Sequence, residues 1–498
     1  MAADPATAPP TYGNWRQPRR PGLGSLGLLG TFIAFGGIMV TLLASLISLP
    51  AAACVLVPTA FALLPLLIRT QDGRNLYQLL ALRIGWLRRK GNGAHLYSSG
   101  PLSSRPEGRF RPPGLLSRVD LTEGRDAYDR PFGVLHHRMN NTCTVVLGCE
   151  PDGGSLVDPE QHDQWVASWG QWLARLSHEP DLRGAGVTVE TAPDPGTRLA
   201  AETLPRISPT APDLAKAVLR EVVETYPSAS SEMYTYVTLT YGVPSGRRRG
   251  HEDMATELAV RIPGLLAGLV EAGGGSALPL SAERIAEVVR VSYDPAAATT
   301  VLNARAFEGG TGLDWEDAGP VAAVEDTNAY HHDSACSRTW MLSLAPRGTV
   351  RSNVLRNLLE PAPDTRRKRV TLLYRPIDPA TSARIVEADR RAAQFMASSG
   401  RGLVRARAAS AVAAAEQTAA EEAAGAGLVE FSLMVTVTVD DEGQLPDTDV
   451  LVRNLQANAR LALRPADRMQ AAAFSCTLPV GILPWEYVLV PGSLREAL

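Results

Sequence analysis

Residues 22–68 read GLGSLGLLGTFIAFGGIMVTLLASLISLPAAACVLVPTAFALLPLLI, without one charged side chain. A secretory signal has an apolar core of roughly 7 to 15 residues, so a run this long is not a simple signal. One membrane-crossing helix needs about 20 apolar residues. The run holds two such lengths, and Pro50 sits where the chain can turn, because proline is unfavourable inside a helix. The pattern predicts two helices, 26–48 and 51–68, as a tight transmembrane hairpin.

After it, RTQDGRNLYQLLALRIGWLRRK places Leu76, Leu79, Leu80, Ile84 and Leu87 at helical spacing on one side, with basic residues elsewhere. That is the pattern of a helix lying on an anionic membrane surface, with Trp86 at headgroup level. Arg16, Arg19 and Arg20 precede the hairpin, and Arg69, Arg74, Arg83, Arg88, Arg89 and Lys90 follow it. The positive-inside rule then puts both ends in the cytoplasm. Residues 91–116 are rich in Gly, Pro and Ser and read as a linker.

The remainder alternates strand and helix signals. FGVLHHRMNNTCTVVLGCE gives two strands around a turn at MNN, and Asp158-Pro159 opens a helix with a stripe of Trp165, Trp169, Trp172, Leu173 and Leu176. Tryptophans at that spacing read as core. GAGVTVETAP and SEMYTYVTLTYGV are strands, with helices at 213–227, near 252–273 around Pro263, and after Ser281. In the last third, strands at RRKRVTLLYRP and FSLMVTVTV flank an alanine-rich helix, and a helix and the short strand LALRP follow. Strands separated by such helices indicate an α+β body of ferredoxin-like βαβ units.

Composition narrows the chemistry. The 498 residues are 45% hydrophobic and 20% charged with a net charge of −3, which excludes general disorder and a global basic field for nucleic acid. The densest basic spots, RRKRV at 366–370 and GRRRG at 246–250, lack the interleaved aromatics of single-strand binding. Direct DNA binding is not expected. Cys54, Cys143, Cys149, Cys336 and Cys476 form no CxxC pair and read as reduced thiols. The pairs His136-His137 and His331-His332 lack metal-site spacing, because adjacent strand residues point to opposite faces. No GxSxG elbow or dinucleotide fingerprint is present. No catalytic residue, cofactor or metal is therefore assigned, and no enzyme is expected.

The motifs RQPRRPGLGSLGLLG and QDGRNLYQLLALRIGW make the first 90 residues resemble the PrgI-like two-pass membrane subunit of type IV secretion systems. The run LRPADRMQAAAFSCTLPVG, after FSLMVTVTV and VLVRNLQANARL, resembles the N-terminal non-motor part of conjugative ATPases of the CagE, TrbE and TraC type. The fused arrangement resembles an actinobacterial family of conjugation-associated integral membrane proteins. A motor would need Gly-Lys-Ser or Gly-Lys-Thr to hold phosphates. Lys90, Lys216 and Lys368 are the only lysines and none follows a glycine.

The resemblance implies five segments: a basic cytoplasmic lead-in (1–22), a hairpin with its interfacial helix (23–90), a linker (91–116), and cytoplasmic α+β domains at 117–300 and 301–498. It implies a structural subunit of a conjugative, type IV-like apparatus in the cell membrane, its partners the lipid bilayer, a separate motor ATPase and other channel subunits. Self-association is compatible with that role. The alternative is an EccE-like component of a type VII secretion system, which also pairs transmembrane helices with an α+β body.

Overall fold

The computed structural model describes residues 12–13, 15, 27–68, 70, 74–100, 103, 109–151, 153, 157–225, 231–243, 251–346, 348–362, 367–399 and 403–487. They fall into two compact units: a smaller one centred on residues 15–96, and a body formed chiefly by 97–342 and 346–483.

The smaller unit holds α1 (Gly27–Ser45), α2 (Leu49–Leu67) and α3 (Leu76–Gly91). Ser48 caps α2 by accepting from the Ala51 N–H at 3.3 Å, and Pro50 lies in the first turn, where its missing N–H costs nothing. α1 and α2 pack together at Gly37, where a Cβ would come within 2.1 Å of the Thr59 methyl. Among the described residues only α2 is long and apolar enough to cross a membrane; the apolar stretch of α1, Thr31–Ser45, is shorter. The expected two-helix transmembrane hairpin is therefore corrected to one candidate span. Uninterrupted hydropathy does not show how much of the run is one straight helix.

The body's first half runs β2 (Val119–Arg125), β3 (Pro131–His137), β4 (Thr142–Glu150), α4 (Pro159–Leu176), β5 (Leu182–Pro193), α5 (Thr197–Thr203), α6 (Asp213–Thr225), β6 (Ser231–Gly242), α7 (His251–Leu269), β7 (Ser276–Pro279) and α8 (Ala282–Tyr293). The short α9 (Ala298–Asn303) leads to the second half. There β8 (Ala322–Glu325), β9 (Tyr330–His332), β10 (Ala335–Leu344), α10 (Arg356–Leu359), β11 (Arg367–Pro376), α11 (Pro379–Ser399), α12 (Leu403–Ala423), β12 (Val429–Val439), α13 (Leu445–Asn458), β13 (Ala462–Pro465) and α14 (Gln470–Thr477) follow.

With the short β1 (Leu96–Ser98), these strands make one 13-stranded sheet in the order β1-β8-β9-β10-β12-β11-β5-β6-β4-β3-β2, with β7 on β4 and β13 on β10. Outward from the central β5–β11 pair, the order is β5-β6-β4-β3-β2 on one side and β11-β12-β10-β9-β8 on the other. The halves are two copies of one arrangement about a pseudo-twofold axis. Thr188 and Thr371 face each other there, their hydroxyls 3.0 Å apart.

Registers agree across the copies. Cys143 lies opposite His136 and Tyr241, and Cys336 opposite His331 and Val439. Registered neighbours are antiparallel throughout, and both halves share one sheet. The expectation of separate βαβ units is corrected to one sheet that both halves share; within it β6 enters between β4 and β5 with β7 on β4, and β12 between β10 and β11 with β13 on β10, which is the split-βαβ strand order in each half. Strand order is a long-range choice that helix-strand alternation does not encode.

The two faces of the sheet differ. On one, Cys143, Val145, Leu147, Val237 and Leu239 pack under α4 and α7, where Trp172 is buried and stacks on Trp169 at 4.9 Å. Val370, Leu433, Val435 and Val437 pack under α13 in the second half. All five cysteines are free thiols. Cys143 and Cys149 share this apolar face, as strand spacing of six dictates.

The other face is lined with hydroxyls and covered by α14 and residues 478–483. Thr371 donates to the Thr477 carbonyl at 3.1 Å, and Thr240 to the Gly481 carbonyl at 3.2 Å. Buried hydroxyls are tolerable only when paired in this way.

Candidate functional site

The basic residues flanking the apolar run divide as follows. Arg16, Arg19, Arg20 and Arg69 lie outside the described residues. Arg74 immediately precedes Asn75, the residue that caps α3, and the Asn75 N–H donates to the Gln78 side chain at 3.2 Å. Arg83, Arg88 and Lys90 are exposed on α3, as are Leu76, Leu80, Ile84 and Leu87. Trp86 is buried instead, edge-on to His95, with the Arg89 guanidinium 5.4 Å from its ring centroid.

The histidine pairs split across the sheet. His136 faces the apolar side, within 3.2 Å of the Cys143 sulfur and 2.8 Å of the Thr122 hydroxyl. His332 donates from Nδ1 to the Tyr293 carbonyl at 2.6 Å, so its Nε2 accepts from Ser337, 2.7 Å away. Ser337 in turn lies 2.7 Å from the Thr438 hydroxyl. The other half repeats the relay: His137 Nε2 is 3.1 Å from Thr144, which is 2.8 Å from Thr240. Burial lowers both histidines to about 4. Among the described residues no group of three His, Cys, Asp or Glu could hold a metal ion.

The halves part company beside the axis. Two residues beyond Thr188, β5 carries the buried Glu190, paired in register with Arg369 of β11. Two residues beyond Thr371, β11 carries Leu373, paired with Gly186. Next along, Tyr234 and Tyr236 of β6 occupy the positions that Ser432 and Met434 occupy on β12. A symmetric frame thus holds a polar cluster on one side of its axis and an apolar pair on the other.

Glu190 Oε1 accepts from Arg367 at 2.8 Å and from Arg369 at 3.3 Å. Burial alone would raise its carboxyl pKa; Arg369 and Arg367 outweigh that and hold it below the ordinary value. Arg369 is 1% exposed and rests over Phe474, 5.4 Å from the ring centroid, while its Nε and Nη1 find no hydrogen-bond partner among the described residues. Lys368, between the two arginines, is buried and donates to the Glu360 carbonyl at 2.6 Å. Burial lowers it to about 8. The basic run of β11 is thus turned inward.

Glu190 and Arg367 form one wall of a cleft that is open to solvent. Tyr234 and Tyr236, stacked with centroids 6.5 Å apart, form the second wall. Burial first, then Glu232 for Tyr234 and Glu190 for Tyr236, pushes both phenols well above their ordinary pKa. α8, whose Ser281 cap accepts from the Arg284 N–H at 3.3 Å, contributes Arg284, Glu287 and Val288. α9 contributes Val301 and Leu302, and the π-helical turn 304–308 adds Arg305.

Arg284 pairs with Glu287, which also accepts from the Thr311 hydroxyl at 3.0 Å. Arg305 makes no hydrogen bond or close ion pair among the described residues, and the nearest carboxylate acting on it is that of Glu287, already paired with Arg284. Partial desolvation, and next the Arg284 guanidinium, lower its pKa.

Sequence reasoning singled out none of these lining residues as a site. One signal was present: Glu190 interrupts the β-branched run VTVETA at a position whose neighbours are buried. Its partners lie on β11 and could not be named without the strand order.

A family model described as a domain of unknown function (DUF8461) matches residues 19–78. That span contains α1, α2 and the first residues of α3. No curated protein matches the chain.

Proposed function

We propose that this protein is a membrane-anchored structural subunit of a conjugative, type IV-like transfer apparatus, whose body docks a separate motor ATPase at the cytoplasmic face of the cell membrane. The observation that carries the anchoring is α2. Its Leu56, Val57, Phe61 and Leu64 are all more than half exposed, and apolar surface left in water costs about 25 cal/mol per Å². A bilayer removes that cost. The basic last turn of α3, Arg88 to Lys90, with its exposed apolar stripe, suits an anionic cytoplasmic leaflet.

The body is read as a docking element because the sequence carries no phosphate-binding Gly-Lys-Ser/Thr loop. Deletion of residues 49–67 is expected to move the protein from the membrane to the soluble fraction. Crosslinked purification of the full chain from membranes is expected to recover a P-loop motor of the conjugative kind. Recovery of a hexameric type VII core would favour the EccE-like alternative, and recovery of neither would overturn both readings.

A further inference from the structure

We infer that the cleft between α8, α9 and the strands β5, β6 and β11 is a binding site for a small soluble molecule that carries one phosphate or carboxylate on an apolar, ring-sized body. Three guanidiniums, those of Arg284, Arg305 and Arg367, face two carboxylates, Glu190 and Glu287. Each carboxylate already holds an arginine of the wall: Glu287 holds Arg284, and Glu190 holds Arg367 together with Arg369 behind it. Arg305 is the cation left over. A guanidinium with an open donor fork matches the paired oxygens of a carboxylate or phosphate. The stacked tyrosines and the aliphatic side chains of Val301 and Leu302 offer an apolar surface to the rest of the ligand.

The pseudo-twofold axis supplies an independent argument. The same frame is built in the other half with Leu373 against Gly186, flanked by Ser432 and Met434. The fold therefore does not require the polar set. A buried ion cluster is also weak as a stabilising device, because desolvation of the charges cancels most of their attraction. A ligand that uses the surplus positive charge gives the polar set a purpose that folding does not.

The test is titration calorimetry with phenyl phosphate on the full chain in nanodiscs of neutral lipid, with benzyl alcohol as the uncharged control. Phenyl phosphate is expected to bind, benzyl alcohol not, and Arg305→Ala to weaken binding tenfold or more at an unchanged urea midpoint. If Arg305→Ala shifts that midpoint, Arg305→Lys, which keeps the charge and loses the fork, is read in its place. Absent binding, equal binding of benzyl alcohol, or affinity indifferent to both variants overturns the inference. Repeating the titration with phosphatidic acid in the nanodiscs separates the ligand sources. Unchanged affinity supports a soluble ligand, whereas loss of phenyl phosphate binding would overturn that assignment in favour of a lipid headgroup. None of these outcomes depends on recovery of a motor partner.

Discussion

The two halves of the sheet solve one packing problem in two ways. On one side of the Thr188–Thr371 axis, Glu190 meets Arg369 and Arg367; on the other, Leu373 leans on Gly186, whose Cβ would lie 3.4 Å from the leucine methyl. The apolar solution needs only shape. The polar one needs two arginines to offset the desolvation of one carboxylate, and still leaves two nitrogens of Arg369 without partners among the described residues. Since the frame closes without charge in one half, charge in the other is a property of the cleft rather than of the fold. The histidine relays teach the reverse lesson. Both halves retain His, hydroxyl and Thr in the same register, so that device belongs to the frame.

The comparison is broken most severely at Glu190. Glu190→Leu alone strands two buried guanidiniums and is expected to cost about 3 to 5 kcal/mol in urea unfolding. Glu190→Leu with Arg369→Gly copies the Leu373–Gly186 pair and is expected to recover more than half of that loss. A double variant no more stable than the single would show that the halves are not interchangeable.

Gly481 comes next. Its φ is +71°, and a Cβ there would lie 2.3 Å from the Thr144 side chain and 2.6 Å from the Thr240 hydroxyl, inside the relay of the first half. Gly481→Ala is expected to destabilise by about 3 kcal/mol, from strain and a displaced carbonyl acceptor. A melting temperature within a degree or so of the parent would refute the close approach.

Acid should then loosen both halves alike. His137 and His332 are neutral when folded because burial holds them at about 4, against an unfolded value of 6.5. Their contribution is complete above about pH 6.5 and is lost as pH falls from there towards 4, up to roughly 3 kcal/mol for each. Stability measured across that window is expected to fall, and to fall less steeply in His137→Gln and His332→Gln, by similar amounts. Unequal slopes would break the equivalence of the relays. Glu190 adds a loss at lower pH, since its depressed pKa stabilises only above the ordinary carboxylate range.

The smallest effect sits on the axis. Thr188→Val removes one hydroxyl from the central pair, but Thr371 keeps its bond to the Thr477 carbonyl. About 1 kcal/mol is expected. A much larger loss would mean that the axis carries more than a paired hydroxyl.

Much of the local structure was legible in the chain. The Asp158-Pro159 start of α4, the Ser281 cap of α8, the turn around Asn141 and the alanine-rich α12 are set by neighbouring residues, through capping, turn and propensity effects. The Trp172 stripe reads as core because helical spacing alone puts it on one face. GRRRG lies outside the described residues, and RRKRV illustrates the limit. Its arginines and lysine suggest a strand leaving a surface loop, yet Arg367, Lys368 and Arg369 are all buried, since Glu190, the acceptor of both arginines, comes from the distant strand β5, while Lys368 bonds the Glu360 carbonyl eight residues before it.

By itself, then, the sequence determined where apolar surface must be hidden: a long uncharged run near the N-terminus, half-apolar helices, and β-branched strands. Each is a property of a few consecutive residues and their spacing. Only the tertiary structure decided that β5 pairs with β11 at a pseudo-twofold axis, which joins both halves in one sheet, and that among the described residues one helix rather than two meets the length of a membrane span. The same holds for the cleft, whose residues come from β5, β6, β11, α8 and α9. Strand order and charge pairing depend on contacts between residues far apart in the chain, and local pattern carries no information about which of many equivalent apolar strands will meet.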